Sequence, residues 1–501
     1  MASFQPLYCL PWLLLFFFTT SISTSASRLR MPRLTVHNSA IDRPSRSRPL
    51  DSEGYQSLFY GQTLDHFNYQ PQSYLTFKQR YVLNSKYWKG AEASAPIFAF
   101  LGEEASLDSD LDAIGFLNEN AAQFGALIVF MEHRFYGESV PFVSREEALK
   151  NATLRGYFNS AQALADYAEI LLYVKKDFSA YNSPIIVFGG SYGGMLAAWF
   201  RLKYPHIALG ALASSAPLLY VDGLTPHSAF FYVVTNDFRE ASESCYTTIK
   251  NSWAEIERIS NLENGLSILS NKFRTCEPLK DAKSLKLSLE LMYLATAQYD
   301  RPPTYGVNVI CNAIDSAPPA SDILDRIFSG VVAHYGDASC YNLGGYLGGS
   351  SSPDETQQGW AWQVCSDIVV ELGVDTNDTM FVLNPYDANA NNEHCMETYG
   401  VVPRRNWITT YHGGQNIREV LKKFGSNIIF SNGLRDPWSS GGILEDISDT
   451  IVAVKTNEGS HCLDVAPSRE DDPDWLVMQR RTEVEIISKW ITDYYEAKFK
   501  Q

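Results

Sequence analysis

Three residues of this 501-residue chain have the types and the chain order that acyl transfer to a serine requires: Ser191, Asp436 and His461. Ser191 stands in Gly189-Gly190-Ser191-Tyr192-Gly193, a G-x-S-x-G pentapeptide preceded by the apolar run PIIVF and followed by the apolar stretch MLAAWF. A serine on a sharp strand-to-helix turn takes a strained backbone conformation, so its neighbours two places away must be small. The same turn exposes Oγ and aims the first N–H groups of the helix at a developing oxyanion. The pentapeptide alone is a weak signal at this glycine content; a strand before it and a helix after it make it specific. A serine nucleophile also needs a base and an orienting acid, which on such a scaffold follow in the order acid, then histidine. NIIFSNGLRDPWSSGG places Asp436 just past a strand, and TIVAVKTNEGSHCLD places His461 in the loop after the next one. Of nine histidines, His461 is the only one downstream of Asp436. EHRFYGES and LDHFNY each set one histidine beside one acid without the paired spacing of a zinc site, so His133 and His66 read as structural and no metal is expected. Neither a phosphate-binding loop nor a dinucleotide fingerprint is present, and no cofactor is implied.

These side chains need a scaffold, and the apolar periodicity supplies one. Short apolar runs at 96–101, 126–131, 210–215, 427–432 and 450–455 alternate with helical segments, the pattern of an α/β fold with a mostly parallel sheet covered on both faces. Helical spacing is clear in YFNSAQALADYAEILLYVKKDF and in the closing VEIISKWITDYYEAKF, where Val484, Ile487, Trp490, Ile491 and Tyr494 share a face. From about 220 to 415 the strand rhythm gives way to helix-like stretches and polar loops. The chain therefore divides into a catalytic domain at 55–219 and 416–501 and an inserted helical cap at 220–415.

Residues 1–26 read as a secretory signal peptide, with an apolar run from Leu7 to Phe18 and small residues before a cleavage point at Ala26. That run is shorter than the roughly 20 residues that span a bilayer. Residues 27–54, rich in arginine and without apolar periodicity, read as disordered or as a removable pro-segment. Loss of the signal removes Cys9. Six of the remaining seven cysteines, Cys245, Cys276, Cys311, Cys340, Cys365 and Cys395, lie within the cap and read as three disulfides in an oxidising compartment, in any of 15 pairings. Cys462 is left as a free thiol. The sequons at Asn151 and Asn377 fit the same route. A net charge of −16 argues against nucleic acid or an anionic membrane surface as a partner.

GGSYGGMLAAWFRLKYPH, EHRFYGES, NGLRDPWSSGG, EGSHCLD and LDHFNY…TFKQRY together resemble the S28 serine peptidases, over residues 59 to 495 or so. The resemblance implies an α/β-hydrolase domain with an inserted, disulfide-bonded helical cap. It also implies a serine exopeptidase that acts on proline-containing peptides in the lysosome, the vacuole or outside the cell, with a homodimer as one state open to it. Carried onto this chain, it makes Ser191 the nucleophile, Asp436 the orienting acid and His461 the general base. The Tyr192 N–H is one half of the oxyanion hole, and the loop Gly102-Glu103-Glu104-Ala105 supplies the other through Gly102 or Glu103, where the family usually reads Gly-Asn-Glu-Gly. Met195 and Trp438 match positions that line a proline pocket, with ordinary core packing as the alternative. Asp367 stands where the family usually carries Glu, as an amine-binding acid or a solvated one. The carboxypeptidase branch often shows His-His at the triad histidine with an arginine beyond; here the residues are His461-Cys462 and then Ala466. Overall similarity favours release of a C-terminal residue over release of an N-terminal Xaa-Pro dipeptide. An esterase and a non-catalytic binding protein on the same fold are the readings of other kinds.

Overall fold

A computed structural model describes residues 54–343, 354–413 and 415–499; the signal-peptide and 27–53 expectations lie outside the described residues. Strands β1 (Tyr55–Thr63), β2 (Thr76–Asn84), β3 (Ile97–Leu101), β4 (Leu127–Met131), β5 (Ile185–Gly190), β6 (Gly210–Ser214), β7 (Ile428–Gly433) and β8 (Ile451–Thr456) form one sheet in the order β1-β2-β4-β3-β5-β6-β7-β8. From β3 onward every pairing is parallel, whereas β2 runs antiparallel to both β1 and β4. The central strands are wholly apolar because both faces are covered: in β5, Ile185 and Val187 enter one core cluster and Ile186 and Phe188 the other. The sequence reading missed β1 and β2. β1 mixes polar and apolar residues along an edge where alternate side chains meet solvent, so it carries no continuous apolar run.

Between β6 and β7 the chain is helical, with Ala229–Ala241, Glu243–Ser260, Ala282–Gln298, Gly306–Asp315, Ile323–Tyr335 and Glu355–Val364 among its longer helices. Disulfides Cys245–Cys311, Cys276–Cys340 and Cys365–Cys395 tie this segment to itself, and Cys462 is free and buried. The helical segment does not keep a core of its own. Phe230, Phe231, Tyr293 and Ile310 belong to the same connected cluster as Ile185 and Val187 of the sheet, so lifting it away would expose apolar surface on both sides.

On the opposite face the closing helix begins at Asp474 and runs to Phe499. Ile487, Trp490 and Ile491 bury against Phe98, Phe188, Leu212 and Ile429, with Val484 and Tyr495 partly buried beside them. Tyr494 departs from the expected face: its hydroxyl donates to Asn182 O, and Tyr495, the next position on the helix, packs in its place.

Candidate active site

Ser191 joins β5 to the helix Ser191–Lys203 and has φ 56°. That left-handed conformation costs a non-glycine residue about 1–3 kcal/mol, and the surrounding packing enforces it. The glycines on either side show how little room the turn leaves. A Cβ at Gly189 would lie 2.0 Å from Gly193 O, and one at Gly193 would lie 2.9 Å from Leu101 O. Two small residues are therefore a steric condition for the elbow rather than a preference.

Asp436 follows β7 and His461 follows β8, at the same end of the sheet as the elbow. His461 Nδ1 is 2.7 Å from Asp436 Oδ2, and His461 Nε2 is 2.9 Å from Ser191 Oγ. A carboxylate only accepts, so Nδ1 carries the proton and Nε2 is left to accept from the Ser191 hydroxyl. Asp436 Oδ1 accepts the Trp438 main-chain N–H at 3.0 Å, which ties the second carboxylate oxygen to its own loop. The His461 main-chain N–H donates to Gln298 O at 3.0 Å, and Cys462 N–H donates to Ser215 Oγ at 2.9 Å. Burial by itself disfavours the imidazolium; Asp436 and the neighbouring Cys462 sulfur outweigh it, and His461 is held well above its ordinary value of 6.5. Such an arrangement can activate a serine for attack on a carbonyl and return the proton to a leaving amine.

The remaining sequence candidates fall in different places. The Tyr192 N–H lies in the first turn of its helix, where donors lack intrahelical acceptors. Gly102 is corrected as an oxyanion donor. Its N–H donates to Met131 O at 2.9 Å and its carbonyl accepts from Tyr167, so of the two candidates in that loop Glu103 is the one that remains. Glu103 is buried, with its side chain against Gly193. The solvated reading of Asp367 is also corrected. Asp367 is fully buried, and it accepts Ser160 N–H and Oγ–H at 2.9 and 2.7 Å at the first turn of the helix Ser160–Asp177. Burial raises its carboxyl above the usual range. Met195 is buried in the sheet–helix core, and Trp438 is enclosed by the rings of Tyr220 and Phe230 at 5.5 and 4.8 Å. Asn151 and Asn377 are exposed.

The EHRFYGES segment supports the elbow from behind. His133 Nε2 lies 3.2 Å from Tyr192 Oη, and burial lowers His133 to about 4, so the ring is neutral and accepts from the phenol. Arg134 forks onto Asp166 at 2.5 and 2.6 Å, while His66 pairs with the same carboxylate at 2.7 Å. Tyr136 Oη donates to Gln363 of the helical segment. Sequence reasoning passed over Gln298 and Gln363, since a lone glutamine in a helix-like stretch has no local signature.

A second buried cluster underlies the His461 loop. Ser214 Oγ donates to Asp464 Oδ1 at 2.5 Å, Ser431 Oγ donates to Glu483 Oε1 at 2.6 Å, and Gln479 Nε2 donates to Ser431 Oγ at 2.8 Å. Arg480 donates to the Asp464 main-chain carbonyl and pairs with Asp472. Burial first, and then the Asp464 carboxyl, push Glu483 well above its ordinary 4.5; burial likewise raises Asp464. The folded protein thus binds these protons more tightly than the unfolded chain. The stabilising contribution is complete below the unfolded value and is lost as pH rises through the raised folded values. Glu483→Gln keeps an acceptor for Ser431 but cannot ionise. Its Tm should match the parent near pH 4.5 and exceed it by roughly 2 °C or more near pH 7.5, as calorimetry would measure; an equal Tm at both pH values would count against the carboxyl pair.

The family model described as Serine carboxypeptidase S28 matches residues 62–483. Three similar relatives share the description Lysosomal Pro-X carboxypeptidase. Those of Homo sapiens and Pongo abelii are each 36% identical over 472 residues, covering 91% of this chain and 92% of theirs. That of Mus musculus is 36% identical over 485 residues, covering 93% and 95%.

Proposed function

Because the chain belongs to the S28 serine carboxypeptidase family, we propose that it releases the C-terminal residue from peptides ending in Pro-Xaa, with Ser191, His461 and Asp436 as its triad. It is a serine exopeptidase that acts next to proline, on an α/β-hydrolase scaffold with 220–415 as its cap. The observation that carries the catalytic reading is the unbroken relay from Asp436 through His461 to Ser191 at 2.7 and 2.9 Å.

In this reading Ser191 Oγ attacks the prolyl carbonyl while His461 Nε2 takes its proton. The oxyanion is received by the Tyr192 and Glu103 N–H groups. His461 then gives the proton to the departing amino acid, and water repeats the sequence to free the acyl-enzyme. Proline has no N–H and a fixed φ, so the extended backbone pairing used by most peptidases is closed to it and the ring itself must be recognised. Trp438 and Met195 would supply a flat wall and an adaptable one. The lysosomal description of the relatives favours a route through the secretory pathway to a lysosome-like compartment. No helix among the described residues is long and apolar enough to cross a membrane.

The test is mass spectrometry of Lys-Pro-Ala-Gly-Pro-Phe incubated with the protein. Loss of Phe alone is the expected result. Loss of Lys-Pro would overturn it in favour of dipeptide release, and an untouched peptide together with an unreactive Ser191 would overturn hydrolysis altogether.

A further inference from the structure

We propose that Gln298 is a positioning residue for this reaction: it binds the cap to both loops of the triad, so that the seating of the cap sets where His461 and Asp436 stand. The inference rests on the reading of Ser191, His461 and Asp436 as the triad.

Gln298 is buried and is the last residue of the cap helix Ala282–Gln298. Carbonyls at a helix C-terminus lack intrahelical donors, which leaves Gln298 O open to a loop. The donor it receives is the main-chain N–H of His461, at 3.0 Å. Its side chain reaches the other triad loop. Gln298 Oε1 accepts the Trp438 indole N–H at 3.1 Å, while Nε2 donates to Tyr299 Oη at 3.0 Å. Trp438 in turn gives its main-chain N–H to Asp436 Oδ1. One residue of the cap thus terminates two short chains of hydrogen bonds, one ending on the base and one on the acid that orients it. The next residue adds a steric limit, since the Tyr299 ring meets the His461 imidazole edge to face at 6.0 Å and 81°.

The neighbourhood makes the Gln298 side chain hard to replace. The indole of Trp438 lies among the rings of Tyr220 and Phe230, in a region closed to solvent, so an indole N–H deprived of Oε1 must turn elsewhere or remain unsatisfied. Cap docking does not hang on this contact alone. Arg435, beside Asp436, lies 3.5 and 3.3 Å from the cap carboxyls of Asp237 and Asp300, and the cap shares its apolar core with the sheet. Removing the Gln298 amide should therefore loosen the triad while leaving the cap in place.

Gln298→Leu removes the acceptor at similar volume, and Gln298→Glu retains one whose protonated form has the shape of the amide. The measurements are kcat and KM on a Pro-Xaa peptide, the rate of Ser191 labelling by a small organophosphonate, and Tm. Because small misplacements of reacting groups are costly, the Leu variant should lose about 10- to 100-fold in both kcat and labelling rate, with KM within about twofold and Tm close to the parent. The Glu variant should recover toward the parent below about pH 5 and fall away as its buried carboxyl ionises. Parental kcat and labelling in the Leu variant would overturn the proposal. So would losses that merely follow Tm with no recovery by Glu at any pH. Should the Leu variant fail to fold, a Glu variant with the parental pH profile would overturn it alone. An unreactive Ser191 in the parent would instead sink the triad reading, and the two failures are told apart by that control.

Discussion

Ser191→Ala is expected to lower kcat on a Pro-Xaa peptide by about 10⁶-fold, with KM and Tm near the parent. The size follows from the role. In the proposed mechanism Oγ forms the acyl bond; Ser191 is fully buried, and its hydrogen bond to His461 Nε2 is already 2.9 Å in the resting protein. The neighbouring hydroxyls of Ser215 and Ser214 are engaged elsewhere: Ser215 accepts from Cys462 N–H, and Ser214 donates to Asp464. Alanine keeps the Cβ and therefore the strained turn at φ 56°, so stability should change little. Single-turnover kinetics would separate the chemical step from binding, and His461→Ala added to Ser191→Ala should cost little more, because the pair acts as a unit. A Ser191→Ala protein that keeps even a hundredth of the parental kcat would overturn the assignment of the nucleophile.

Asp436→Asn is expected to lower kcat by about 10⁴-fold. The amide oxygen can still accept the Trp438 N–H, so the loop should hold its shape. The amide nitrogen then faces His461 Nδ1 as a donor, which forces the proton onto Nε2 and leaves Ser191 without an acceptor. The variant also changes the pH profile with a definite sign. In the parent, Asp436 and Cys462 outweigh burial and hold His461 above 6.5, so kcat/KM should rise with pH along a limb lying above that value. Without the carboxylate, burial gains weight and the limb should move down. A pH–rate profile with the same acid limb in both proteins would contradict this account of the His461 electrostatics.

The buried carboxyls and the proposed base therefore have opposite dependences on pH. The buried carboxyls of Asp464 and Glu483 favour the folded state under acid conditions, as does Glu132, raised by burial to about 7, whereas a raised His461 favours turnover nearer neutrality.

Ser191, His461 and Asp436, the proposed nucleophile, base and orienting acid, stood out in the bare sequence because each rests on short-range rules, and the structure places them within hydrogen-bond reach of one another. The elbow needs glycines at fixed offsets from Ser191, the buried parallel strands need unbroken apolar runs, and Asp436 and His461 sit where such strands end. The helical stretch between β6 and β7 showed in the sequence for the same reason, as a change of period, and the cysteines within it as a group. Their pairing was not: Cys245–Cys311 and Cys276–Cys340 close across 66 and 64 residues, and nothing local distinguishes them from other partners. The same limit explains the errors. Gly102 looked like a donor until β4 was laid beside it and took its N–H. Of the two readings open for Asp367, an amine-binding acid or a solvated one, the second fails because Ser160, 207 residues away, meets it in the interior. Gln298 carried no signal at all, because its partners His461 and Trp438 lie on loops far along the chain. Sequence by itself determined which residues could do chemistry, since torsional strain and strand period act over a few residues. Only the tertiary structure decided which donor each acceptor meets, since that depends on the packing of segments that are distant in the chain.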